Sequence, residues 1–129
     1  MCRICERMNK FIILYQTSKR IAVLDEYPVS DWHTLLIPKK HFNTYFDLPK
    51  SYTQSIDWVL KNIKEILDNK FHPSGYNIGF NCGETAGQSI MHFHIHIIPR
   101  YKGDVENPRG GIRGIIPNKQ NYHIQDSKL

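Results

Sequence analysis

The segment His92-Phe93-His94-Ile95-His96-Ile97-Ile98 sets three imidazoles at alternate positions, with apolar residues between them. A neutral imidazole titrates near pH 6.5, so at neutral pH it is available as a nucleophile or a base. Attack of such a ring on phosphorus gives a phosphohistidine and splits one hard substitution into two easier ones. Neighbouring imidazoles can stabilise the phosphoryl oxygens or protonate the leaving group. A period of two predicts a strand, with the three rings on one face and Phe93, Ile95 and Ile97 on the other. Alternate residues on that face stand roughly 6.5–7 Å apart, close enough to serve one small ligand.

Asn81, Gly83, Gly87, Gln88 and Ser89 lie just upstream. Glycines let the main chain approach a ligand, and successive N–H groups in such a loop form an anion-binding concavity. The same residues also read as a plain turn. No Gly-x-Ser-x-Gly elbow or P-loop is present. Metal chemistry is the rival: Cys2-x-x-Cys5 has zinc-ligand spacing and two histidines would complete it. His92, His94 and His96 cannot all bind one ion while the strand stays regular, because the outer two are about 13 Å apart.

The elements that must position these groups follow from periodicity. Phe11 to Tyr15 and Ile21 to Leu24 predict a β-hairpin, and Thr34 to Ile37 a buried strand ended by Pro38. Lys39 to Leu48 reads as a turn or short helical piece. Tyr52, Ile56, Val59, Leu60, Ile63, Ile66 and Leu67 form one apolar stripe, predicting a single amphipathic helix over 49–70 with Pro49 in its first turn. Tyr76 to Asn81 predicts a fourth strand, and Pro99-Arg100 closes the histidine strand. Strands with one long helix indicate an antiparallel α+β domain.

A chain of 129 residues with 40% hydrophobic and 22% charged residues fits one globular domain. No apolar run approaches the roughly 20 residues of a membrane span, and the start lacks a signal-peptide stretch, so the expected location is cytoplasmic with no membrane partner. The net charge of +5 suits an anionic ligand, but it is dispersed, which disfavours nucleic acid. Three cysteines, an odd number, argue against a disulfide framework.

The histidine stretch, with Gly87-Gln88-Ser89, Asn81 and His33-Thr34-Leu35-Leu36-Ile37-Pro38-Lys39-Lys40-His41, resembles the histidine-triad (HIT) superfamily over most of the chain. Pro99-Arg100-Tyr101-Lys102-Gly103-Asp104 looks like the bacterial diadenosine-tetraphosphate hydrolase-like branch, nearer the fragile-histidine-triad type than the phosphoramidase type. The resemblance implies a five-stranded antiparallel sheet with one long and one short helix, one HIT domain over 1–129 (core about 2–104, extension 105–129), and a homodimer with a continuous sheet. It implies cleavage at the α-phosphate of a nucleotide conjugate, with a dinucleoside polyphosphate and an adenine nucleotide favoured. By position, His94 resembles the nucleophile that becomes nucleotidylated, His96 its phosphate-contacting partner, and His33 the supporting upstream histidine. Asp25 matches the ribose-binding position; Asn81, Gly87, Gln88 and Ser89 match the phosphate-binding loop. Zinc-carrying relatives use positions matched here by Cys2, Cys5, His41 and His92, which implies a structural zinc.

One departure is Asp31-Trp32-His33, where the family usually has Pro-Gly-His; Trp32 bears on the base pocket or simply packs. Arg100, Arg109 and Arg113 reach either a distal phosphate or solvent. A phosphoramidase, a phosphorylase or a nucleotidyl transferase are the alternative enzymes, and a nucleotide sensor with little turnover is the alternative of another class.

Overall fold

The structure, a computed structural model, describes residues 2–122. Residues 123–129, including His123 and the end of the expected extension, lie outside the described residues, as does Met1. The chain order is α1 (Arg3–Arg7), β1 (Ile13–Gln16), β2 (Arg20–Leu24), β3 (Thr34–Pro38), α2 (Lys50–Thr53), α3 (Ile56–Phe71), β4 (Gly75–Gly79) and β5 (Ile95–Arg100). Short 3₁₀ turns occupy Tyr45–Asp47, Glu84–Ala86, Gly111–Ile115 and Pro117–Lys119. The five strands form one antiparallel sheet in the order β1-β2-β3-β5-β4.

β2 and β3 are apolar along most of their length because both faces of the sheet are covered there. On one face α3 sets its apolar stripe, Val59, Ile63 and Leu67, against Ala22, Leu36, Ile95 and Ile97. Each such side chain, fully buried, contributes roughly 1.5–3 kcal/mol. On the other face α1 lays Ile4 over Ile21, Val23, Leu35 and Ile37. Strand alternation then decides the site. His33 and His96 fall on the α1 face, and Phe93, Ile95 and Ile97 pack toward α3, as their spacing predicts.

Three expectations need correction. The single helix over 49–70 is two, interrupted at Gln54 and Ser55. The cause is tertiary: buried Arg20 donates to the Tyr52 carbonyl and, at 2.7 Å, to Ser55 Oγ, and so holds the chain between helices. The strand predicted from His92 pairs only from Ile95 and runs on through Pro99 and Arg100. The fourth strand is Gly75–Gly79, one residue earlier at its start and two shorter at its end than predicted.

Trp32 occupies the left-handed region at φ 68°, a conformation that costs a residue with a Cβ roughly 1–2 kcal/mol. Its indole stacks on Phe71 at the end of α3, with ring centres 3.8 Å apart and planes 19° apart. Around it, Tyr101 donates its hydroxyl to the Asp31 carbonyl (3.0 Å), and the Trp32 carbonyl accepts from Thr34 Oγ1 (2.8 Å). The loop ahead of His33 is thereby tied to the residue that follows β5 and to the end of α3.

Candidate active site and metal centre

A cleft of about 770 Å³ opens on the α1 face. Its polar wall holds Asp25, His33, Ser89, His94 and His96, and its apolar wall includes Ile4, Phe11 and Leu35. The hydrogen bonds fix which ring nitrogen carries each proton. Nδ1 of His94 lies 2.8 Å from the main-chain carbonyl of His92. A carbonyl can only accept, so His94 donates from Nδ1 and keeps its lone pair on Nε2. The main-chain N–H of Val29 donates to Nδ1 of His33 (3.2 Å), so the neutral His33 ring carries its proton on Nε2. That nitrogen is 2.9 Å from Nδ1 of His96 and donates to it, which leaves His96 with an N–H at Nε2. One directed chain therefore runs from Val29 through His33 to His96.

Electrostatics keeps the chain neutral. Burial lowers the pKa of His96 to about 4, helped by His94 and His33 and opposed by Asp25. Burial also lowers His33, again opposed by Asp25, whose Oδ2 is 3.5 Å from His33 Nε2. Asp25, His33 and His96 have metal-ligand types within reach of one another. The proton on His33 Nε2 leaves no lone pair toward such an ion, so the trio reads as a hydrogen-bonded chain.

The second cluster has the opposite character. Sγ of Cys2 and of Cys5 lie 3.4 and 3.3 Å from Nδ1 of His92, and Cys5 Sγ lies 3.4 Å from Nδ1 of His41. Nε2 of His92 donates to the Pro38 carbonyl and Nε2 of His41 to Asn43 Oδ1, each at 2.9 Å. Both rings thus present bare Nδ1 atoms to two thiols. Tetrahedral zinc with ordinary bond lengths needs sulfur-to-nitrogen separations of about 3.5 Å, and outer hydrogen bonds of this kind orient histidine ligands. The four residues fit the metal.

The expected nucleotide-binding residues divide. Asp25 and Ser89 line the cleft with the three histidines; Asn81, Gly87 and Gln88 do not. Gln88 is buried, its Oε1 accepting from Gly83 N–H (2.8 Å) and its Nε2 donating to the carbonyls of Asn43 (2.6 Å) and Ile90 (3.1 Å). It holds the loop in shape. Arg100 donates to Asp104 from both Nε and Nη2 at 2.8 Å and to Asn77 at 2.6 Å. Arg109 and Arg113 lie over the Tyr122 ring, 5.5 and 4.6 Å from its centre. None of the three arginines reaches the histidine cleft. Sequence reasoning missed the apolar wall at Ile4 and Phe11 and the main-chain donor of Val29; a main-chain group leaves no mark in the residue pattern.

The family described as HIT domain matches residues 6–103. The chain belongs to the HIT family. An uncharacterized HIT-like protein of Methanocaldococcus jannaschii is 38% identical over 109 residues, covering 82% of this chain and 84% of the relative. HIT relatives include proteins named as nucleotide hydrolases. The bis(5'-nucleosyl)-tetraphosphatase [asymmetrical] of Schizosaccharomyces pombe is 32% identical over 92 residues (71% of this chain, 50% of that one). Adenylylsulfatase HINT3 of Arabidopsis thaliana is 33% identical over 103 residues (80% and 52%). Among solved structures, a zinc-bound histidine triad family protein from Mycobacterium smegmatis superposes with a TM-score of 0.72 at 31% identity, covering 80% of this chain and 77% of that one. Among the described residues, no helix of this HIT protein is long and apolar enough to cross a membrane.

Proposed function

We propose that this HIT protein hydrolyses a nucleotide conjugate at its α-phosphate through a nucleotidylated His94. The observation that carries the reading is the hydrogen bond from His94 Nδ1 to the His92 carbonyl, which leaves Nε2 as a free nucleophile in the cleft. The nucleoside lies toward Ile4, Phe11 and Leu35, with Asp25 at the ribose. His94 Nε2 attacks phosphorus; a P–N bond forms and the bond to the leaving group breaks. His96 donates from Nε2 to the bridging atom and offsets the charge that gathers there. A leaving phosphate departs as its anion. Water then attacks phosphorus, the P–N bond breaks, the nucleoside monophosphate leaves and the water's proton passes to solvent. His33 acts through His96, fixing its tautomer.

A zinc ion held by Cys2, Cys5, His41 and His92 would supply structural cross-linking and no step of the reaction. It would pin α1, and with it Ile4, over the nucleoside end of the cleft. A cytoplasmic homodimer is part of the proposal: β4 stands at the sheet edge, with Ile78 and Phe80 exposed beside it.

The test is acid-free quenching of wild type and His94→Asn during turnover of adenosine phosphoanhydrides and an adenosine phosphoramidate, with mass spectrometry of the digested protein. An adenylyl group on the peptide carrying His94 is expected in wild type alone. Tight binding of AMP with no turnover of any substrate would instead establish the sensor reading.

A further inference from the structure

The open face of β5 does not end at His96. His96, Ile98 and Arg100 all stand half-buried on it, while the residues between them are buried. Asn77 and Gly79 of β4 lie opposite Ile98 and His96. Over this row lies the segment after β5, with Ile112 3.7 Å from where a Cβ on Gly79 would stand. Between segment and sheet is a second cleft, of about 690 Å³. Val29 lines both clefts, so the second begins where the first ends, on the side of His96 away from the nucleoside wall.

The second cleft has a definite chemistry. Ile98, Val105, Ile112 and Ile115 give it apolar surface, and its ionisable groups are Arg100, Asp104 and Glu106. The Arg100 guanidinium is spent on Asp104 and Asn77. Glu106 has no ion pair among the described residues. One cation against two carboxylates leaves a net charge of −1. A chain of further phosphates would meet a spent arginine and an unpaired carboxylate, with no free cation among the described lining residues to offset the like charges.

Resting on the α-phosphate reading above, we propose that this second cleft is the subsite for the tail of the leaving group, and that it takes a neutral or cationic organic tail and rejects additional phosphates. The substrate class is then a nucleoside diphosphate ester: the α-phosphate at His94, the β-phosphate at His96, and an uncharged or amine-bearing group between β4 and the segment after β5. Residues two apart on β5 are roughly 7 Å apart, so a tail of a few carbon atoms beyond the β-phosphate reaches Ile98, in the cleft that Asp104 and Glu106 also line.

Three ADP esters test this, with propyl tails ending in methyl, ammonium or phosphate. All break the same phosphoanhydride bond and release an alkyl phosphate of similar basicity, so they differ in tail charge alone. In wild type, kcat/KM is expected to be at least tenfold higher for the methyl and ammonium tails than for the phosphate tail. Glu106→Lys, an exposed position whose change leaves the core untouched, should narrow or invert that ratio, and Glu106→Gln should lie between. Rates within twofold for all three tails, or a ratio unmoved by Glu106→Lys, would overturn the subsite while leaving the chemistry at His94 standing. If wild type cleaves the methyl-tailed ester no faster than His94→Asn does, the α-phosphate reading falls and takes the subsite with it.

Discussion

Nε2 of His33 and Nδ1 of His96 stand 2.9 Å apart, and a single proton lies between them. Neutrality of the pair is a condition of that bond, because a second proton would set two donors face to face. The unfolded imidazole titrates near 6.5 and folded His96 near 4. Between those values the unfolded chain takes up a proton that the folded chain refuses. Stability should therefore be full above pH 6.5 and fall as pH drops toward 4, by on the order of 2 kcal/mol from His96. Urea unfolding at pH 7, 5.5 and 4.5 measures this, and His96→Asn should flatten that part of the profile.

His96 and His94 should separate by leaving group. Replacing His94 removes the proposed nucleophile, and the loss should be on the order of 10⁴-fold in kcat or more for every substrate. His96→Ala removes a hydrogen-bond donor to the bridging atom, worth roughly 10²–10³-fold for a basic leaving group. It should matter far less for a nitrophenyl ester, whose leaving group needs little help. A series of AMP esters of graded leaving-group basicity checks both; equal losses across the series would remove His96 from the leaving group.

Metal analysis of protein purified under reducing conditions should give one zinc per chain, and Cys5→Ser should lose it. Because both faces of the sheet have their own apolar cores, the metal-free protein should remain folded, with a Tm lower by roughly 10 °C. With α1 loosened from Ile21 and Leu35, nucleoside affinity should weaken more than kcat. Full zinc retention in Cys5→Ser would exclude that thiol as a ligand.

Trp32 offers a contrast between two small residues. Trp32→Gly loses the stack on Phe71 but relieves the left-handed backbone, so stability should change by less than about 1 kcal/mol. Trp32→Ala loses the stack and keeps the strain, and should cost about 1–3 kcal/mol. Denaturant midpoints of the two variants measure the difference.

What the sequence disclosed and what it concealed divide along physical lines. The alternation that sends Phe93, Ile95 and Ile97 toward α3 and turns His96 to the opposite face, toward the cleft, is a local property, legible from residue order. So is the stripe of Val59, Ile63 and Leu67. The break before Ile56 was not legible, because it is made by Arg20, which lies 35 residues away from Ser55 in the chain. Gln88 looked like a ligand because its type and neighbours suit one; its amide instead closes the loop on itself through Gly83, Asn43 and Ile90. The directed chain ending at His96 starts from a main-chain group of Val29, which any residue but proline would supply.

His92 serves both clusters with different parts of itself. Its ring faces the thiols, while its carbonyl receives the proton of His94. The group that fixes the tautomer of the proposed nucleophile is therefore main chain, which no side-chain substitution at position 92 deletes. A lineage could trade the four candidate zinc ligands away one by one and keep the His94 tautomer that the proposed chemistry needs. Gain or loss of the ion and retention of the chemistry are free to evolve separately, even though one residue stands at the junction of both.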